Sequence, residues 1–208
     1  MPKKEAPLAE LGSFLPPGSV DEVIRFLQIY KVHLTITRER MTVLGDYRNK
    51  HLHSNHRISV NGNLNKYSFL VTLLHELAHL LAYEKFGNRI NPHGTQWKNE
   101  FSTILSSFIV KKIFPPDIEH ALMQNLHNPA ASSCADTHLI RVMRKYDQQK
   151  DGRHLVEELS HGSLFKIKGE KVFRKGDKVR KRFKCMELST GKIYLFSPVF
   201  EVALVPGT

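Results

Sequence analysis

The sequence predicts an α+β protein: a small helical core with a short three-stranded sheet, followed by a small antiparallel β module. Three observations predict it. Residues 68–86 form an apolar stretch without Pro or Gly, closed by Gly87-Asn88, which reads as one long helix with an ordinary C-terminal stop. Three short runs of strand character precede that helix. From Leu155 onward the chain breaks into brief β-like runs separated by Gly162, Gly169, Gly176 and Gly191.

Length and composition bound the rest. A chain of 208 residues holds one good core and a small second module. Its 41% apolar content is ordinary for a globular protein and argues against wholesale disorder. No apolar run reaches 18 residues, so no transmembrane helix is predicted. The N-terminus, MPKKEAPLAELG, lacks the apolar segment of a secretory signal. Cys134 and Cys185 are far apart and in no CxxC pair, which fits a reducing compartment and a cytoplasmic location.

Taken in order, residues 1–18 are rich in Pro and Gly and read as a flexible leader. Ser19-Val20-Asp21-Glu22 has the form of a capping box, and Val23, Ile24, Leu27 and Tyr30 give the following helix an apolar stripe. Val32–Thr37 alternates apolar and polar as a half-buried strand does. After a turn at Arg38-Glu39-Arg40, Met41–Tyr47 reads as a second strand, and Arg57–Val60 as a third closed by Asn61-Gly62. His51, His53 and His56 fall between the second and third strands and read as decoration of an exposed loop.

The long helix carries His75-Glu76-Leu77-Ala78-His79. Residues four apart on a helix share a face, so His75 and His79 can bind one zinc ion. Glu76, on the neighbouring rim, is placed to serve as general base without binding the metal. A catalytic zinc needs a third protein ligand. His93, in the turn Asn91-Pro92-His93-Gly94, and Glu100, on the next helix, compete for that place, and spacing puts His93 modestly ahead. The short spacing HExxHxxGxxH is absent because position 85 is Lys. Tyr83, one turn after His79, either lines a substrate pocket or simply packs.

Thr95 can cap the next helix, whose buried face is Trp97, Phe101, Ile104 or Leu105, and Phe108. Pro115-Pro116-Asp117 starts another, running through Ile118, Leu122 and Leu126. Residues 128–153 read as a linker with a short helix near 138–146, and residues 154–208 as a basic β module. Its expected strands include Leu164–Ile167, Lys178–Cys185 and Lys192–Phe196, with Leu164, Phe165, Phe173, Phe183, Tyr194 and Phe196 as core. On one strand, Lys178, Arg180, Arg182 and Lys184 would all point to one face. With a net charge of +11, that face suits a nucleic-acid backbone read without sequence preference; the plainer reading is a solvated face.

The run HELAHLLAYEKFGNRINPHGTQWK, residues 75–98, resembles the signature of the SprT-like family, which includes bacterial SprT proteins and the Spartan proteases. The likeness covers about residues 19–127 and is specific through 68–108; Gly45-Asp46-Tyr47 and the strand from Arg57 match more weakly. It implies a zincin-type metalloprotease domain with one zinc ion on His75, His79 and His93 and Glu76 as base. It also implies a protein substrate associated with or crosslinked to DNA, and so a part in DNA repair. Many bacterial members end in a zinc ribbon with paired cysteines. This chain departs from them, having only Cys185 in that region, so 154–208 is expected to be a degenerate, ribbon-like module that folds without metal. Two other classes remain open: a zinc hydrolase of a non-protein substrate, and a nucleic-acid-binding protein with a structural zinc.

Overall fold

A computed structural model describes residues 8–40, 43–52, 54–127, 129, 136–148, 152–167, 169 and 171–205. The start of the expected second strand at Met41, His53 of the histidine loop, Cys134 and the first seven residues of the leader lie outside them. The chain divides into two compact units, residues 1–147 and 148–208. Both are α+β or β as the sequence predicts, with helices and a three-stranded sheet in the first and a six-stranded antiparallel sheet in the second. No described helix is long and apolar enough to cross a membrane.

The first unit is organised by its longest helix. Helices α1 (Val20–Ile29) and α2 (Lys66–Phe86) flank the strands β1 (His33–Thr37), β2 (Gly45–Arg48) and β3 (Arg57–Asn61) in sequence. Asn65 caps α2 by accepting a 2.9 Å bond from the Ser68 amide, and Gly87, at φ 73°, ends it. Gly is the residue that takes that conformation without strain. Phe69, Leu70, Leu73, Leu74, Leu77, Ala78 and Leu80 of α2 are fully buried, so the helix is apolar nearly all round and sits inside the unit. Helices α3 (Thr95–Val110), α4 (Pro116–Gln124) and α5 (Thr137–Arg144) complete the unit, α3 against α2 and α5 against α4.

The sheet has the order β1-β3-β2. β1 runs parallel to β3, from His33 opposite Arg57 to Thr37 opposite Asn61, while β2 runs antiparallel to β3 and forms an edge. β2 lies against α2. One strand edge thus runs beside the face that carries the histidines.

Several expectations are corrected here. The described part of the leader is not loose: Leu8–Ser13 is a 3-10 helix, and Leu11 and Leu15 are 1% exposed in the core. Two large aliphatic side chains outweigh the Pro and Gly around them. Ser19 makes no side-chain cap; its hydroxyl donates to the Pro16 carbonyl at 2.7 Å, and Glu22 pairs instead with Arg25 and Lys111. Gly94 rather than Thr95 is the N-cap of α3. The short helix placed in a linker is α5, whose Leu139, Val142 and Met143 belong to the core of the first unit. His56 is not loop decoration, being 2% exposed.

In the second unit the strands are β4 (Arg153–Leu155), β5 (Leu164–Lys166), β6 (Val172–Val179), β7 (Arg182–Glu187), β8 (Ile193–Phe196) and β9 (Glu201–Leu204), ordered β4-β9-β5-β6-β7-β8. Val156, Leu159, Phe165, Phe173, Cys185, Phe196 and Val202 form its core. Phe183 packs partly against that core, while Tyr194 keeps 38% of its surface exposed. Lys178–Cys185 is not one strand. It spans the β6–β7 hairpin, with Arg180 in the turn at φ 55° and Val179 opposite Arg182.

A bulge between Lys175 and Lys178 brings the chain so close that a Cβ at Gly176 would lie 2.8 Å from the Lys184 carbonyl oxygen. The bulge shifts Lys178 opposite Phe183, whereas Arg182 and Lys184 alternate to the other side of β7. The four basic residues therefore do not share one face.

Candidate metal centre

His75 and His79 come from adjacent turns of α2, and the loop before α3 returns His93 to them. That loop closes with a 2.9 Å bond from the Gly94 amide to the Asn91 carbonyl, and His93 takes φ 59°, a conformation uncommon for a residue with a side chain. The result is a tight triangle: His93 Nε2 stands 3.1 Å from His75 Nε2 and 3.0 Å from His79 Nε2. Among the described residues these three form the one such group of possible metal-ligating side chains. Glu100, the rival third ligand, is instead held by Lys85 Nζ at 2.8 Å from each carboxylate oxygen.

Trp97 sets the shape of the triangle. Its ring is fully buried, with its centroid 4.6 Å from that of His75, 5.3 Å from His79 and 4.7 Å from His93. Phe101 stacks behind it at 5.1 Å, and the indole N–H points to the His75 carbonyl at 3.4 Å. Read from the sequence as core, Trp97 is that and also the floor under all three imidazoles.

Burial holds these imidazoles neutral. Desolvation, then repulsion from its two neighbours, pushes His75 down to about 3; desolvation and His93 push His79 down to about 4. Burial lowers His93 as well. Neutral nitrogens converging on one point suit a divalent ion of the kind imidazole favours, zinc among them. A tetrahedral zinc site with bonds of about 2.0–2.1 Å sets ligand atoms roughly 3.3 Å apart, so the triangle fits with small outward motion.

Glu76 faces the edge strand. It is 7% exposed, and burial, then the nearby Asp46 carboxylate, raise it to about 8 against an opposing pull from Arg40. Gly45 of β2 makes the approach possible, since a Cβ there would sit 2.6 Å from Glu76 Oε1 and 2.8 Å from Thr72 Cγ2.

Behind His79 lies a second group to which the sequence assigns no role. The Tyr47 ring stacks nearly parallel on His79, with centroids 6.3 Å apart and planes 3° apart. Its hydroxyl lies 2.9 Å from His56 Nδ1. Burial pushes the Tyr47 hydroxyl far above its ordinary range and lowers His56, so both are uncharged, and the acceptor-only Glu84 carboxylate on the Nε2 side favours the tautomer that leaves Nδ1 to accept from the phenol. His56 Nε2 then faces Glu84 Oε1 at 3.2 Å, short of full hydrogen-bond alignment, and Lys50 Nζ holds the same oxygen at 2.9 Å. Tyr83, the candidate pocket residue, is half-buried and edge-on to His56 at 5.7 Å. The sequence carries one signal for Tyr47, its place in Gly45-Asp46-Tyr47 on a strand, and none for His56.

A helix bearing two histidines one turn apart, a third on the following loop and a buried glutamate beside them form an HExxH group that could hold a metal ion, on an α+β scaffold. Residues 21–120, just under half of the chain, match the SprT-like family. Among curated proteins the chain is similar to Protein SprT of Pseudomonas fluorescens strain SBW25, with 46% identity over 52 residues, which is 23% of this chain and 31% of that protein. It is also similar to Protein SprT of strain Pf0-1, with 56% identity over 27 residues, 13% of this chain and 16% of the relative. The chain thus spans less than a third of the length of these curated relatives. No solved structure matches it.

Proposed function

We propose that the SprT-like domain is a zinc-dependent metallopeptidase. The observation that carries this reading is the convergence of His75, His79 and His93 beside the buried Glu76 and the edge strand β2. His75, His79 and His93 would hold the ion. Zinc supplies Lewis acidity, polarising a carbonyl and making a water acidic near neutral pH. With the ion's positive charge beside it Glu76 would be ionised, and its carboxylate would accept the proton of the attacking water and return it to the departing amine, the general base and acid in turn. The β2 edge, paired with β3 on one side only among the described residues, offers main-chain groups to an extended polypeptide, which suits a protein substrate of variable sequence.

The partner reading rests on charge. A net charge of +11 and the basic β6–β7 hairpin, with Lys178, Arg180, Arg182 and Lys184, favour DNA-associated or DNA-crosslinked proteins as substrates and non-specific contact with nucleic acid. Because the hairpin splits these residues between two faces and a turn, contact would wrap its tip rather than lie on one face. Cys185, free and buried, suits a reducing, cytoplasmic setting.

The test compares wild type and Glu76→Gln for cleavage of a basic DNA-binding protein, with and without single-stranded DNA, recording zinc content of both. Cleavage by wild type alone, raised by DNA, is the expected result. Equal zinc in both with no cleavage would overturn the peptidase reading and favour a hydrolase of a non-protein substrate or a structural zinc.

A further inference from the structure

Metal-ligating histidines depend on groups that fix their rings. His79 is served unusually: its neighbours in the structure are aromatic faces, Trp97 on α3 and Tyr47 on β2. Trp97 touches all three ligands, so it sets the site as a whole. Tyr47 touches His79 alone among the three, and it is itself anchored. Its hydroxyl is fixed to His56, which precedes β3, and His56 stands against Glu84, one turn and a residue beyond His79 on α2. The chain of contacts therefore leaves α2 at His79, crosses the edge strand and returns to α2 at Glu84. Lys50, from the 3-10 helix Lys50–Leu52, closes its outer end.

This arrangement is costly unless it does something. A tyrosine hydroxyl and an imidazole meet where His56 is 2% exposed, with the part-exposed Glu84 at the outer end, and apolar side chains of similar shape would fill the buried part without polar groups to satisfy. What an apolar filling could not do is fix orientation. A hydrogen bond at the far end of the Tyr47 ring prevents that ring from sliding along β2, and the parallel contact then limits the tilt of His79. The same link ties β2 to α2 through Glu84, on the strand whose Gly45 meets Glu76.

We propose that Tyr47, held by His56 and Glu84, is a positioning residue for the metal centre: it fixes the His79 imidazole plane and locks the substrate-side strand to the metal helix. The catalytic part of this inference rests on the peptidase reading; the metal-binding part does not.

The experiment measures zinc affinity by chelator competition, the melting temperature of the metal-free protein, and kcat and KM on a protein substrate. The variants are Tyr47→Phe, His56→Leu and His56→Asn. Tyr47→Phe keeps the ring and loses the anchor; His56→Asn restores an acceptor oxygen near the place of Nδ1. Zinc dissociation constants for Tyr47→Phe and His56→Leu are expected to rise about 10–100-fold, with His56→Asn recovering much of the loss. kcat should fall with KM little changed. A purely structural role would lower the melting temperature of the metal-free protein and leave zinc affinity and kcat of the folded fraction within about twofold of wild type, which overturns the proposal. Should His56→Leu fail to fold, Tyr47→Phe decides alone. Should wild type bind zinc and cleave nothing, the peptidase reading falls and the zinc titration still decides the positioning role.

Discussion

Gly45 and Glu76 approach so closely that a methyl group on Gly45 would stand 2.6 Å from Glu76 Oε1 and 2.9 Å from its Cγ. On that side the Glu76 carboxylate is thus bounded by strand backbone. Gly45→Ala must push Glu76 or the strand aside. Zinc content should stay near the wild-type level where the Glu76 side chain takes up the displacement, because Glu76 is not among the three nitrogen donors. Turnover should fall by about 10–100-fold, since small displacements of a positioned group cost that much. Equal activity in the two proteins would show that Glu76 has freedom the close contact denies it.

The structure also separates the two residues that compete for the third ligand position. His93→Ala removes one corner of the triangle and is expected to reduce zinc affinity by orders of magnitude. Glu100→Gln, which breaks a pairing with the half-exposed Lys85, should leave zinc stoichiometry unchanged. A loss of zinc in Glu100→Gln would place the carboxylate in the coordination sphere. Zinc stoichiometry on the purified variants checks both.

How far the sequence reveals the site depends on the range of the contacts. His75 and His79 are legible because helical spacing alone puts them on one face, with Glu76 on the neighbouring rim, and α2 stands out through its apolar run and its stop at Gly87. His93 needs the loop to fold back, which the spacing leaves open against Glu100. Tyr47 and His56 are out of reach because their partners come from other elements, and nothing local in Gly45-Asp46-Tyr47 points at His79. The second unit misleads in a different way. Alternation across Lys178–Cys185 reads as one strand, but the turn at Arg180 and the bulge at Gly176 depend on cross-strand register, which periodicity does not carry. The leader misleads because the burial of Leu11 and Leu15 is a tertiary fact that Pro and Gly content does not report.

The buried titratable groups give the metal-free protein a distinctive pH profile. In the fold His75 is lowered to about 3 and His79 to about 4, so below pH ~6.5 the unfolded chain binds more protons and stability falls as pH drops. Glu76 acts in the opposite sense. Raised to about 8, it holds a proton in the fold that the unfolded chain releases above pH ~4.5, so its contribution is lost as pH rises towards 8. With two or more histidines against one glutamate, the melting temperature in chelator should climb from pH 4.5 to about 6.5 and decline from there to 8. Glu76→Gln should abolish the decline. A wild-type profile that stays flat above pH 6.5 would remove the buried, raised carboxylate.

The basic hairpin makes the last prediction. Arg180 stands in the turn between β6 and β7 and Arg182 begins β7, both exposed. Neither belongs to the core of the second unit, so reversing them to Glu should not unfold it. Each phosphate left without its arginine keeps about one counterion that binding would otherwise release, and the slope of log affinity against log salt should shrink by roughly one per residue. Affinity for single-stranded and duplex DNA should fall together, since a contact to phosphate does not depend on the base. Fluorescence anisotropy across a salt series measures both. Unchanged affinity and slope in Arg180→Glu/Arg182→Glu would take nucleic acid off this hairpin, and DNA-stimulated cleavage would then have to depend on contacts in the SprT-like domain.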